Sequence, residues 1–141
     1  MSAPPLELLR NSYFVATQVT LDGGTQVVRV TRTGTHFLDA GDIRTQYAFL
    51  ISRLDRHGRK GRFLLMDLRQ APGRNDPAFE SIMSELRPRL VSGYRRVGIL
   101  TSTAGGTVQV MRHSREDGYE ALIASNEADL LSFFRLAASR P

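Results

Sequence analysis

The side chains whose types and spacing could do chemistry are few. Asp67 closes the apolar run Phe63-Leu64-Leu65-Met66-Asp67-Leu68, and Asp76 stands before Pro77 at the head of an amphipathic stretch. Ser102, Thr103, His113 and Ser114 fall near the ends of other elements. A catalytic reading would have to draw a nucleophile, a base and an orienting group from this set. In a parallel sheet flanked by helices the carboxyl ends of the strands converge on one edge, where ligands bind, so Asp67 and Ser102 could be neighbours and could share a ligand site with Arg112. Each also has a plainer account. Asp67 can be a strand-end acid satisfying loop amides, Asp76 a helix cap, and His113, between Arg112 and Ser114, a surface residue. These structural accounts outweigh the catalytic one, so no catalytic residue is assigned and the chain is expected not to be an enzyme.

Cysteine is absent, and the three histidines, His36, His57 and His113, are scattered. That removes disulfides, thiol nucleophiles and thiolate metal sites together, and it leaves no zinc-ligand spacing. Gly105-Gly106 has neither the glycine spacing nor the lysine of a nucleotide-binding loop, and a turn is the better reading. No cofactor is expected, and no metal.

The stretch from Arg69 to Asp76 is the most informative candidate surface. Pro72 and Gly73 make a turn, Arg74 projects a charge that cannot be titrated off, and the helix start beside it offers free amide donors. Arg69, Gln70, Pro72, Gly73, Arg74, Asn75 and Asp76 are the expected partner-binding residues, with another protein as partner and a second copy of the chain as a further candidate. The same stretch can be a plain solvent loop, and both readings stand. An alternative function is binding of a small anionic nucleotide or lipid headgroup through Arg74, Arg112 and the helix N-termini.

The formal charge is +5 in 141 residues, and Lys60 is the only lysine. The arginines are spread along the chain instead of gathered with aromatics on one stripe, which argues against a nucleic-acid partner. The densest basic run, Arg53 to Arg62, falls where a helix is expected to end, and cations there favour the terminal carbonyls, so a solvated helix end is preferred to a phosphate patch. The N-terminus has no basic region followed by a long apolar run, and no later segment approaches the ~18 apolar residues of a membrane span. The expectation is a soluble cytoplasmic protein.

Residues 1–11, a Pro pair and a leucine-rich turn, read as a tail or short docking helix, and residues 12–141 as one domain. Tyr13 to Thr20 and Thr25 to Thr31 alternate as a hairpin around Asp22-Gly23-Gly24. Ile43, Tyr47, Leu50, Ile51 and Leu54 keep helical spacing from about Gly41 to His57, with Gly58 as the stop. Arg62 to Leu68 reads as a strand covered on both faces. A helix capped by Asp76 carries Phe79, Ile82, Met83, Leu86 and Leu90, secure to about Leu86, with Pro88 set to kink or end it. Arg96 to Thr101 and Tyr119 to Ala124 read as further strands, and Asn126 opens a terminal helix. Thr107 to Arg115 fits either a short helix or the return arm of a hairpin; the alternation around it favours the helix.

This order resembles the STAS superfamily, the domains of sulfate transporters and anti-sigma-factor antagonists, and more closely the bacterial STAS-like proteins. Three stretches carry the likeness: Phe63 to Leu68 ending in Asp-Leu, the loop Arg69 to Asp76 leading into a helix, and Arg96-Val97-Gly98-Ile99-Leu100 with the later Val108 to Arg112. The resemblance implies an α/β fold with a mixed sheet of four to five strands and about four helices packed mainly on one face. It also implies a non-catalytic protein-interaction module in bacterial signalling or scaffolding. In the antagonists an Asp followed by a Ser at the helix start forms a phosphorylation switch. Here that stretch is Asn75-Asp76-Pro77-Ala78, and no hydroxyl residue occurs from Arg69 through Glu80.

Overall fold

Two β-branched runs separated by a glycine pair fold back on each other because only glycine adopts the required backbone cheaply: Gly23 and Gly24 have φ of 88° and 86°. The strands so joined are β2 (Phe14–Thr20) and β3 (Gln26–Arg32), antiparallel in continuous register. The computed structural model describes residues 4–74, 76–117 and 120–139. Before the hairpin lies β1 (Leu6–Arg10), and after it α1 (Ala40–His57), β4 (Phe63–Asp67), α2 (Pro77–Val91), β5 (Val97–Leu100), α3 (Ala104–Asp117), β6 (Ala121–Ala124) and α4 (Glu127–Ala138) follow in turn. The six strands form one mixed sheet in sequential order, antiparallel from β1 to β3 and parallel from β3 to β6.

Alternation along the strands sorts the core into two layers. Val28, Val30, Leu64, Met66, Val97 and Ile99 pack with Ile43, Leu50, Leu54, Met83 and Leu86 of α1 and α2, and with Val110 of α3. On the other face Val27, Phe63, Leu65 and Leu100 pack against Leu130 and Phe134 of α4. The fold is therefore α/β with four helices, three of them on one face.

Local signals fix the helix ends. Asp39 accepts from the Asp42 amide at 2.8 Å to open α1, and Gly58, at φ 95°, returns its N–H to Leu54 O. The basic residues after α1 serve as fasteners. Arg59 Nη1 donates to Leu90 O and Ser92 O at 2.9 and 2.8 Å, satisfying the carboxyl end of α2, and Arg62 reaches Gln18 and Gly58 O.

Three expectations need correction, including the turn at Gly105-Gly106, and one ambiguity is resolved. Leu6–Arg10 is neither a tail nor a docking helix but an edge strand, which raises the sheet to six strands, just above the four to five expected. Its pairing slips between Glu7 and Leu9, so Leu8 and Leu9 both turn partly inward and mimic a helical pair. α2 runs past Pro88 to Val91 because the missing bond falls on the solvent side, beside exposed Ser84, while Leu90 and Val91 stay buried. Residues 107–115 belong to α3, with Gly105 and Gly106 in its first turn; the Gly106 amide donates to Thr103 Oγ1 at 2.9 Å. Of the strand expected over 119–124, β6 covers Ala121–Ala124, and Tyr119 lies outside the described residues.

Candidate binding site at the carboxyl edge of the sheet

Asp67 ends β4 on the face that carries α4, in line with Phe63 and Leu65. Its carboxylate is 3 % exposed and fully engaged. Oδ2 accepts from Arg29 Nη2 and Arg69 Nη2, both at 2.8 Å, while Oδ1 accepts from Arg69 Nε at 2.9 Å and the Arg69 amide at 3.1 Å. Arg29 also pairs with Glu127 of α4 and bonds Thr31. Burial pushes the Asp67 carboxyl up, but the bonds from Arg69 and the charge of Arg29 outweigh it and hold it below the usual carboxylate value. Ser102 Oγ donates to the Arg69 carbonyl at 3.3 Å, so Ser102 and Asp67 meet through Arg69. Both act on the chemistry of holding a loop.

The rest of that loop is similarly held. Arg74 forks onto Asp76, Nε to Oδ1 at 2.6 Å and Nη2 to Oδ2 at 3.2 Å, and lies over the Phe79 ring at 5.1 Å. Asp76 Oδ2 also accepts from the Phe79 amide at 3.2 Å, the N-cap expected from sequence. The Arg74 bond first, then the Phe79 amide, keep its carboxyl below the usual value against the opposing desolvation. Gln70 and Gly73 face solvent, whereas Pro72 and Arg74 are half-buried; Asn75 lies outside the described residues. Asp76→Ala should lower the melting temperature by roughly 2–5 °C, with Asp76→Ser recovering most of it, as read by thermal denaturation at neutral pH. No change in either variant would mean that Asp76 does not cap α2.

On the opposite face a cavity of about 370 Å³ opens between α1, α2, α3 and the loops after β3 and β4. Apolar side chains, among them Met66, Leu68, Phe79, Met83, Ile99 and Val110, form most of its wall. Among them sit Arg32, Tyr47, Arg87 and His113, all largely buried. Arg32 Nη1 donates to Thr33 O at 2.7 Å and Tyr13 O at 3.5 Å, and its guanidinium lies 4.2 Å from the Phe37 centroid. Burial pushes its pKa down, and Tyr47 beside it opposes that shift. His113 Nε2 lies 2.9 Å from Glu80 Oε2; burial and then the Arg87 charge push its pKa down, with Glu80 opposing. A second cleft of about 490 Å³ adjoins, between the 68–74 loop and Thr101 to Gly106.

Of the residues expected to bind a ligand, Asp67 and Ser102 come together, but Arg112 does not join them. Arg112 Nη2 pairs with Glu80 Oε1 at 3.0 Å on the α2–α3 side, and the sheet separates it from Asp67. Sequence reasoning does not reach Arg32, Tyr47 and Arg87 as lining residues, and His113, expected at the surface, is buried on the same wall. Their signal was in the sequence: Arg32 continues the inward face Val28, Val30, and Arg87 sits inside the apolar stripe of α2, four residues after Met83.

No family model, no curated protein and no solved structure matches the chain. Among the described residues no group of histidine and acid side chains could hold a metal ion, and no helix is long and apolar enough to cross a membrane.

Proposed function

We propose that the chain is a non-catalytic interaction module, STAS-like in character, whose protein partner meets the outward residues of the 69–76 loop and the exposed flank of α2. The observation that supports this reading is that the loop is fastened in advance. Arg69 is locked to Asp67, Arg74 to Asp76, and Ser102 to the Arg69 carbonyl, so Gln70 and Gly73 are displayed on a platform that loses little freedom on docking. The same bonds count against acid–base catalysis by Asp67, because guanidinium and amide donors occupy both carboxylate oxygens. The absence of a hydroxyl from Arg69 through Glu80 leaves Asp76 as a fixed charge where the antagonists have a phosphorylated serine. A cytoplasmic signalling or scaffolding partner fits this reading.

Arg69 and Arg74 are poor probes of the surface, since both hold the loop. Gly73 is better: it has an ordinary φ, and a Cβ added there meets no atom within 4 Å. Gly73→Gln should leave stability within about 0.5 kcal/mol of the parent while obstructing docking. The expected result is that parent protein recovers from native lysate a partner that Gly73→Gln and Gln70→Ala both lose, scored by quantitative mass spectrometry. Undiminished recovery by the two variants would reject this surface.

A further inference from the structure

We infer that the cavity between α1, α2 and α3 binds a monocarboxylate with a medium-length apolar chain, its head held by Arg32 and Tyr47 and its chain by Met66, Met83, Ile99 and Val110. This inference does not depend on the docking role of the loop. Arg32 is a cation kept where cations are costly. Arg32 is 5 % exposed; its neighbours include the backbone carbonyls that Nη1 meets, the Phe37 ring and the phenol oxygen of Tyr47, all neutral, and no carboxylate among the described residues pairs with it. Removing a charge from water without a counter-charge is expensive, and a bound anion relieves that cost. The phenol oxygen of Tyr47 accepts from the guanidinium, which leaves its O–H proton as a neutral donor to the same anion. Arg87, also on the wall, adds positive potential felt at Tyr47 and His113.

The remaining wall decides the rest of the ligand. It is mostly aliphatic, thioether and aromatic, and about 370 Å³ falls within the range of small-molecule sites. A phosphate fits poorly. Phosphates take the free amides of helix N-termini, but Asp39 already caps α1 and Asp76 caps α2, so both starts beside the cavity carry their own negative charge. Among the described residues Asp39 is the only acid on the wall, and it lies at the exposed mouth together with His36.

Isothermal titration calorimetry of the full chain against octanoate, octan-1-ol, octyl phosphate and acetate tests the assignment. Octanoate should bind at one site at least about tenfold more tightly than octan-1-ol, the margin of a charge-assisted hydrogen bond. It should also exceed octyl phosphate, and acetate should give no signal at the same concentration. Arg32→Gln should abolish the preference for octanoate over the alcohol while leaving alcohol affinity unchanged. Val110→Phe, which fills the chain's space, should abolish binding of both. If Arg32→Gln does not fold, the parent's preference for acid over alcohol and the Val110→Phe result still decide. Equal affinity for octanoate and octan-1-ol, tighter binding of octyl phosphate, octanoate binding that survives Val110→Phe, or no heat with octanoate up to millimolar concentration would each overturn the inference.

Discussion

Asp67→Ala is expected to destabilise the fold by about 1.5–3 kcal/mol at neutral pH, the range for losing hydrogen bonds to a charged group, since the arginines left behind are part-exposed. The variant leaves the Arg29 guanidinium with Glu127 as its counter-charge beside Thr31, and it frees Arg69 and its amide from the contacts that turn the chain out of β4. Urea unfolding measures the loss; a change below about 1 kcal/mol would mean that the carboxylate is not part of a buried pair. The pH dependence has a definite sign. Because the folded carboxyl is held below its usual value, its stabilisation is fully present above the unfolded pKa of ~3.9 and disappears as pH falls through the lower folded value. The gap between parent and Asp67→Ala should therefore stay constant from neutral pH to about 5 and narrow below about 4. Asp42 and Asp76 are also held low, so the parent's total acid sensitivity is not due to Asp67 alone. The difference between the two proteins isolates it.

How legible a residue was in the sequence depended on whether its role was local. β4 could be read because a strand covered on both faces must be apolar without interruption, as Phe63 to Met66 is. α1 could be read because Ile43, Tyr47, Leu50, Ile51 and Leu54 repeat at helical spacing before the glycine stop Gly58. β1 could not, because a short edge strand buries little and its register slip breaks the alternation that marks a strand. The loop from Arg69 to Asp76 was located correctly as a feature, but the direction of each side chain was not. Arg69 turns back to Asp67 and Arg74 to Asp76 through pairings that no spacing rule distinguishes from solvent exposure. The separation of Asp67 from Arg112 was open to deduction. Strand alternation puts Asp67 with Phe63 and Leu65, away from Leu64 and Met66, and the helices that follow β4 and β5 lie on the latter side. Arg32 and Arg87 stayed hidden for another reason. In a chain where arginine is the common cation, one that ends a strand's inward face and one inside a helix's apolar stripe look like surface residues until the cavity they line is seen.

Gly98→Ala tests the other layer of the molecule, and it is expected to cost about 1–3 kcal/mol by overpacking. Gly98 sits in β5 facing α4, where an added Cβ would come within 2.9 Å of Phe134 Cζ and 3.0 Å of Leu130 Cδ2. Both side chains are completely buried, and Phe134 stacks on Phe63 with ring centroids 4.9 Å apart, so neither can swing aside without disturbing the layer. The relief has to come from moving α4 outward. That motion carries Glu127 away from Arg29, which loosens the support behind Asp67 and so behind the whole 69–76 loop. A double-mutant cycle separates this mechanism from a loss of strand propensity. Phe134→Leu removes the ring that the new methyl strikes, so the double variant should be more stable than the sum of the two single losses by at least about 0.5 kcal/mol. Simple additivity would show that the cost of Gly98→Ala does not arise from packing against Phe134.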